Sequence, residues 1–308
     1  MKPGIDAAGL EAIARACRVQ IIRMLAHAGS GHPGGSLSVI DLLVTLVFGR
    51  LRLDPERPHW PDRDRLILSK GHAVPALYAV MARAGFFPED RLVTLRKLGS
   101  PLQGHPDRLA LPGIEAATGS LGQGLSVAIG MALGLRLGGS AARVYCILGD
   151  GEIQEGQVWE AAMSAPRLGQ PDRALHNLCV ILDENRIQLD GFVKQIMDLE
   201  PVVEKWRSFG WPVMEIDGHD VRQIDKALDQ AEAAVGGPTF IVAHTVKGKG
   251  VSFMEGDPEW HGKAPKPAEA IRAIREILGV SEGGWDEHLK RDPALSVLVA
   301  ELSSLEKR

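Results

Sequence analysis

RVYCILGDGE, residues 143–152, decides the fold. Five consecutive apolar residues, Val144 to Leu148, run into Gly149-Asp150-Gly151-Glu152. A short unbroken apolar run closed by a turn sequence is a strand covered on both faces, which is the habit of parallel sheets. NLCVIL (177–182) repeats the pattern and ends in Asp183-Glu184-Asn185. PVMEI (212–216) and TFIVAHTV (239–246) are further runs of this kind. Helical stretches separate them at 158–168, 202–209 and 221–235, the last capped by Asp220. Strands alternating with helices predict an α/β fold, a doubly wound and mostly parallel sheet flanked by helices.

Upstream, Leu10, Ile13, Cys17, Ile21, Met24 and Leu25 recur at helical spacing, with Gly29 as the stop. Helices are also expected at 37–48, 73–84 and 89–98. Beyond Lys263 the chain turns polar, and residues 266–308 read as a helical extension of two segments on a domain spanning 1–265. No internal repeat or low-complexity tract is visible.

The chain has 308 residues, 45% of them hydrophobic, enough for a large core. A net charge of −4 gives no basic face for a nucleic acid. The three cysteines, Cys17, Cys146 and Cys179, are far apart, without a CxxC pair. Structural zinc and a disulfide framework are therefore not expected, and a reducing cytoplasm is. The N-terminus lacks the apolar core of a signal peptide, and no uninterrupted apolar stretch reaches membrane-spanning length.

Ligands of parallel sheets bind beyond the carboxyl ends of the strands. Two strands here end in side-chain oxygens, Asp150 and the Asp183-Glu184-Asn185 run. Hard cations such as Mg²⁺ take such oxygens together with phosphate oxygens, and Gly151 lets a backbone approach a diphosphate closely. A plain strand-end turn remains the alternative for Gly-Asp-Gly.

Five of the ten histidines sit beside glycine: His32, His72, His105, His219 and His261. That context places them on loops, where catalytic groups collect; any one alone reads better as a turn histidine bonded to backbone, and the five together shift the balance. Thr118-Gly119-Ser120-Leu121-Gly122-Gln123-Gly124, before a helix at 126–137, either cradles an anion at the helix N-terminus or packs closely on its neighbours. It is neither a GxGxxG nor a Walker loop, so a dinucleotide is disfavoured.

Taken in order, SGHPGG, SKGHA, QGHP, TGSLGQGLS, GDGEIQEGQ, DENRIQLDG and the late His261-Gly262 resemble the transketolase family across about residues 17–262. The resemblance implies a thiamine diphosphate-binding fold of the diphosphate-binding type. It implies a metal, Mg²⁺ or Ca²⁺ or Mn²⁺ in its place, held by Asp150, Asn185 and the Ile187 carbonyl. Gly151 would contact the diphosphate, His72 and His261 would lie near it, and Gly119 and Leu121 would line the cofactor rings. His32 and His105 would bond the sugar, with His32 and His261 moving protons. Glu155 matches the family's glutamate at the subunit contact.

Single-chain transketolases are about twice this long, so the resemblance implies a C-terminal partner subunit carrying the pyrimidine-binding domain. An α2β2 heterotetramer acting on sugar phosphates is the expectation, with no membrane partner. Two features depart from the family. The stretch near residues 166–176 carries surplus residues, and His244-Thr245-Val246-Lys247-Gly248-Lys249-Gly250 is closer to split enzymes and to deoxyxylulose phosphate synthases. Open alternatives are the α subunit of a 2-oxoacid dehydrogenase, a transketolase for an unusual sugar or a natural-product intermediate, and a non-catalytic assembly subunit.

Overall fold

The computed structural model describes residues 4–168 and 174–306. The helices are α1 Ala7–Ala28, α2 Pro33–Val44, α3 Val74–Arg83, α4 Gln123–Leu137, α5 Gly156–Ser164, α6 Val193–Ile196, α7 Val202–Ser208, α8 Val221–Ala233, α9 Pro267–Ile277, α10 Trp285–Arg291 and α11 Pro293–Leu305. The strands are β1 Arg65–Leu68, β2 Val144–Gly149, β3 Leu178–Glu184, β4 Ile187–Gln188, β5 Gly191–Phe192, β6 Val213–Asp217 and β7 Thr239–His244. Five form one sheet in the order β1-β2-β3-β7-β6, every pair parallel, and β4 and β5 make a small antiparallel hairpin.

Strand periodicity builds the two layers of core. Tyr145, Ile147, Cys179, Ile181, Ile241 and Ala243 face a cluster formed with α1, α2, α3, α8, α9 and α11. Their neighbours Val144, Cys146, Leu148, Val180, Leu182, Phe240 and Val242 face α4, α5 and α7. Each central strand thus spends alternate residues on opposite faces, and every one is apolar because both faces are covered. On the second face Trp206 of α7 stacks flat on Phe240, ring centroids 3.7 Å apart. The doubly wound sheet is as expected from 143–152 and the similar runs after it.

Local signals explain several ends. Asp6 and Asp220 accept backbone N–H groups at the starts of α1 and α8, and Gly29 closes α1 at φ 63°. One strand is new, and two expectations need correction. Strand β1 is an addition; it has four residues, and its first two are only partly buried. Residues 89–98 make only a 3₁₀ turn, Glu89–Thr94, because Leu95 is extended and Arg96 left-handed at φ 60°. The C-terminal segment holds three helices rather than two, and α9 and α11 share a core with α1.

Pro33–Arg50 is helical throughout, its last turn π-helical, and by length and composition it could cross a membrane. It is 89% buried in the protein, with α1 and α3 against it, so it is a core helix. Within the loop expected to be longer, residues 169–173 lie outside the described residues.

Candidate active site

Register levels the strand tips. Gly149 pairs with Asp183, and Glu184 with His244, so Asp150, Asp183-Glu184-Asn185 and Thr245 emerge at one edge of the sheet. The edge borders a cavity of about 210 Å³ lined by His32, Lys70, His72, Gly119, Leu121, Asp150, Gly151, Asn185, Ile187, Lys247 and His261, among others. Nearly every site residue expected from the sequence is in that lining; His105 and Glu155 are not.

Asp150 and the 185–187 turn are tied together. One carboxylate oxygen of Asp150 accepts the Gly151 N–H at 2.8 Å, and the other accepts the N–H of Arg186. Arg186 is left-handed at φ 66°, which turns the chain so that Asn185 and Ile187 flank the Asp150 carboxylate. Asn185 Oδ1 accepts the Ile187 N–H at 3.2 Å, while its Nδ2 donates to Asp183 Oδ2 and Ser38 Oγ, both at 3.2 Å. Asp150, Asn185 and Ile187 thus line the same cavity, two of them with side-chain oxygens and the third with a backbone carbonyl. That donor set fits a divalent oxygen-seeking cation. Burial and the charge of Asp183 push the Asp150 carboxyl up, a buried anion short of positive charge. Among the described residues no three His, Cys, Asp or Glu side chains cluster as a metal site by themselves.

Two lysines join the site without any expectation from the sequence. Lys70, just beyond β1, is fully buried and pairs with the Asp183 carboxylate, also donating to the Gly35 carbonyl at 3.1 Å. Asp183 is the hub of the floor, accepting from Ser38 Oγ and Thr245 Oγ1 at 2.6 Å each. Burial alone would push its carboxyl up, but Lys70 and these donors hold it below the usual carboxylate range. Lys247 runs its stem over Gly34, where a Cβ would lie 2.8 Å from Lys247 Cγ. Its ammonium donates to the Ile187 carbonyl at 2.7 Å and reaches His261 Nδ1 at 2.6 Å. Burial draws the Lys247 pKa down. The only sequence signal for either lysine is a position beside glycine in SKGHA and VKGKG.

Above this floor His32, His72 and His261 form a ring trio with centroids 5.1, 5.4 and 5.1 Å apart. His32 is the N-cap of α2 and His261 follows a 3₁₀ turn, so loops deliver both. Burial, with nearby positive charge, draws His32 down to about 4 and His261 down to about 3, and His72 well below its ordinary value. All three are neutral near pH 7, so each has a ring nitrogen able to accept a proton or a hydrogen bond. His32 Nδ1 is buried with no protein partner. His105 is exposed and its ring lies against Gly119, where a Cβ would come within 2.9 Å. His219 lies elsewhere, bonded to Asp41.

The glycine-rich loop does not offer its helix N-terminus to a ligand. The Gly122 N–H donates at 3.0 Å to Glu152, a buried carboxylate that also accepts Gly149 N–H at 3.0 Å and the Ser69 hydroxyl. Gly124 sits so close to Ser69 that a Cβ would lie 2.3 Å from its Oγ. Close packing therefore explains this loop's glycines. Glu155 is exposed at the start of α5, against Gly122.

The sequence model of the family "Transketolase, thiamine diphosphate binding domain" matches residues 10–286. The chain belongs to the transketolase family, as its thiamine diphosphate-binding section. It is 46% identical over 243 residues to the 6-deoxy-6-sulfo-D-fructose transketolase subunit of a Clostridium species, covering 79% of this chain and 86% of that one. With an apulose-4-phosphate transketolase subunit of Actinobacillus succinogenes it shares 41% identity, over 87% of this chain and 95% of that one. The crystal structure of transketolase from Campylobacter jejuni superposes with a TM-score of 0.82 at 33% identity, over 90% of this chain. The chain spans only 44% of that protein's length. It is similar to nearly the whole of the first two proteins and to less than half of the third.

Proposed function

We propose that this chain is the diphosphate-binding subunit of a two-chain transketolase, moving a two-carbon ketol unit from a ketose phosphate to an aldose phosphate. The observation that carries the reading is one cavity lined by Asp150, Asn185 and Ile187 together with the trio His32, His72 and His261. Asp150, Asn185 and the Ile187 carbonyl would hold Mg²⁺, or another divalent ion, whose charge would offset that of the diphosphate. Gly151 lets the diphosphate approach; a Cβ there would already lie 2.8 Å from Gln188 Cβ. Lys70 and Lys247 supply positive charge around it. Gly119 and Leu121 border the cofactor rings. When bound, thiamine diphosphate supplies the carbon–carbon bond chemistry.

This chain's histidines orient the sugar and move its protons. His32 and His261, neutral and facing the cavity, take a proton from a donor hydroxyl and return it to the acceptor. His72 orients the diphosphate end, and His105, exposed at the rim, bonds the sugar. Glu155 lies at the contact with a partner chain that carries the pyrimidine-binding domain. Supporting such a contact, α4 is apolar outward as well as inward: Val127 and Leu137 are exposed beside Gly130 and Gly134, which have open space around them. The assembly is a heterotetramer of two copies of each chain. The three cysteines are free and buried, which suits a cytoplasmic enzyme.

The test is ketol transfer from xylulose 5-phosphate by this chain mixed with its partner, thiamine diphosphate and Mg²⁺. Transfer by the mixture and not by either chain alone is expected. Full activity of this chain alone would refute the two-chain reading. A second reading concerns the donor. The Clostridium and Actinobacillus relatives are named for a sulfonated fructose and for apulose 4-phosphate. An unusual ketose is therefore the alternative donor, and a panel of phosphorylated and sulfonated ketoses separates the two.

A further inference from the structure

His219 is the one glycine-flanked histidine that neither lines the cavity nor stands at its rim, and it is firmly bonded. Its Nε2 accepts the backbone N–H of Val246 at 2.8 Å, so that nitrogen carries no proton. The proton is therefore on Nδ1, which donates to Asp41 Oδ2 at 2.7 Å. Asp41 is buried and held on its other side by Arg18 through both guanidinium ends. Arg18 also donates to the Lys249 carbonyl at 3.3 Å. Val246 and Lys249 bracket Lys247, so two anchors, both gathered on Asp41, grip the loop on either side of the lysine that enters the cavity. No helix or strand of its own holds this loop.

We propose that His219 and Asp41 are positioning residues for Lys247: Asp41 fixes the tautomer of His219, and His219 fixes the backbone that aims the Lys247 ammonium at the Ile187 carbonyl. Neither residue lines the cavity. The consequence for diphosphate binding rests on the proposed function; the aiming of Lys247 does not.

The test uses three variants chosen by hydrogen-bond geometry. His219→Gln places an acceptor near the Nε2 position and keeps the Val246 bond. His219→Asn reaches only Asp41. Asp41→Asn has one oxygen for donors that face both positions, so its NH₂ is set against either Arg18 or His219 Nδ1, and one of the two anchors of the loop is weakened. Lys247 is 1% exposed, so its acylation by an amine-selective reagent, followed by peptide mass spectrometry on the full chain, is slow in the wild type. His219→Asn and Asp41→Asn are expected to speed it about tenfold, the scale of one lost positioned hydrogen bond, and His219→Gln to leave it near wild type. Hydrogen exchange at the Val246 amide should follow the same order, and it reads the bond directly in any variant that melts early. Equal rates in the Gln and Asn variants would overturn the proposal. Affinity for inorganic pyrophosphate with Mg²⁺ is measured beside it. A wild type that binds none, with the labelling order intact, refutes the cofactor reading and leaves the positioning role standing.

Discussion

Asn185 Nδ2 lies 3.2 Å from Asp183 Oδ2, and this contact decides which end of the Asn185 amide faces the cavity. With the nitrogen committed to Asp183 and Ser38, the oxygen turns to the side where Asp150 and the Ile187 backbone lie. A buried carboxylate thereby sets which polar atom Asn185 presents to the cavity. The same carboxylate neutralises Lys70.

Asp183→Asn should therefore damage both stability and binding. It leaves the Lys70 ammonium buried without a counter-charge, which costs about 3–5 kcal/mol. It also frees the Asn185 amide to flip. Urea unfolding should show the loss, and calorimetry should show weakened metal-dependent binding of thiamine diphosphate. A variant as stable as the wild type would contradict the ion-pair account. Asp150→Ala should abolish metal-dependent cofactor binding at a smaller cost in stability, about 1–3 kcal/mol from the Arg186 N–H left without its acceptor.

The fold is more legible in the sequence than the site is. Val144–Gly149, Leu178–Glu184 and Thr239–His244 can be read because covered parallel strands have few polar residues to confuse the pattern. Strand β1 escapes because Arg65 and Leu66 are only partly buried and the strand is short. At the site, strand tips and glycine-flanked loops point to Asp150, Asn185, His32, His72 and His261. Lys70, Lys247 and the pairing role of Asp183 escape for a different reason. Their roles come from pairing across long stretches of chain, Lys70 and Asp183 standing 113 residues apart, and no local pattern records a distant partner. Glu152 lies in the decisive stretch, yet nothing there discloses that it closes the loop before α4.

Glu152→Gln tests that closure. One oxygen of Glu152 takes Gly122 N–H and the Ser69 hydroxyl, and the other takes Gly149 N–H. Either orientation of a glutamine amide sets an NH₂ group against a backbone N–H. The expected cost is about 1–3 kcal/mol from the donor left unpaired in a buried position. Thermal unfolding of Glu152→Gln measures it, and a neutral result would mean the loop relaxes freely.

The histidine trio predicts an acid limit to stability. His32, His72 and His261 have folded pKa values below the unfolded value of about 6.5. Between the two values the unfolded chain binds more protons, so stability falls as pH drops from about 6.5 toward 4. His32→Asn should flatten that slope in urea titrations at about pH 4.5 to 7. On activity, His32→Asn and His261→Asn should each lower kcat by about 10²–10⁴ if they transfer protons, with melting temperature little changed. A loss confined to KM would make them binding residues only.

A last prediction turns on opposite signs. Gly134 lies in the interior of α4 with open space where a Cβ would go, beside exposed Leu137 and one turn from Gly130. In the isolated chain nothing requires a glycine there, and glycine costs a helix interior about 1 kcal/mol relative to good helix formers. Gly134→Arg should therefore raise the melting temperature of this chain alone. If the outer face of α4 packs against the partner, the same change places a long charged side chain in an apolar contact. Co-purification with the partner, and ketol transfer by the mixture, should then fall even as the single chain gains stability. A variant that is more stable and assembles normally would show that α4 faces solvent in the complex and that the partner docks on another surface.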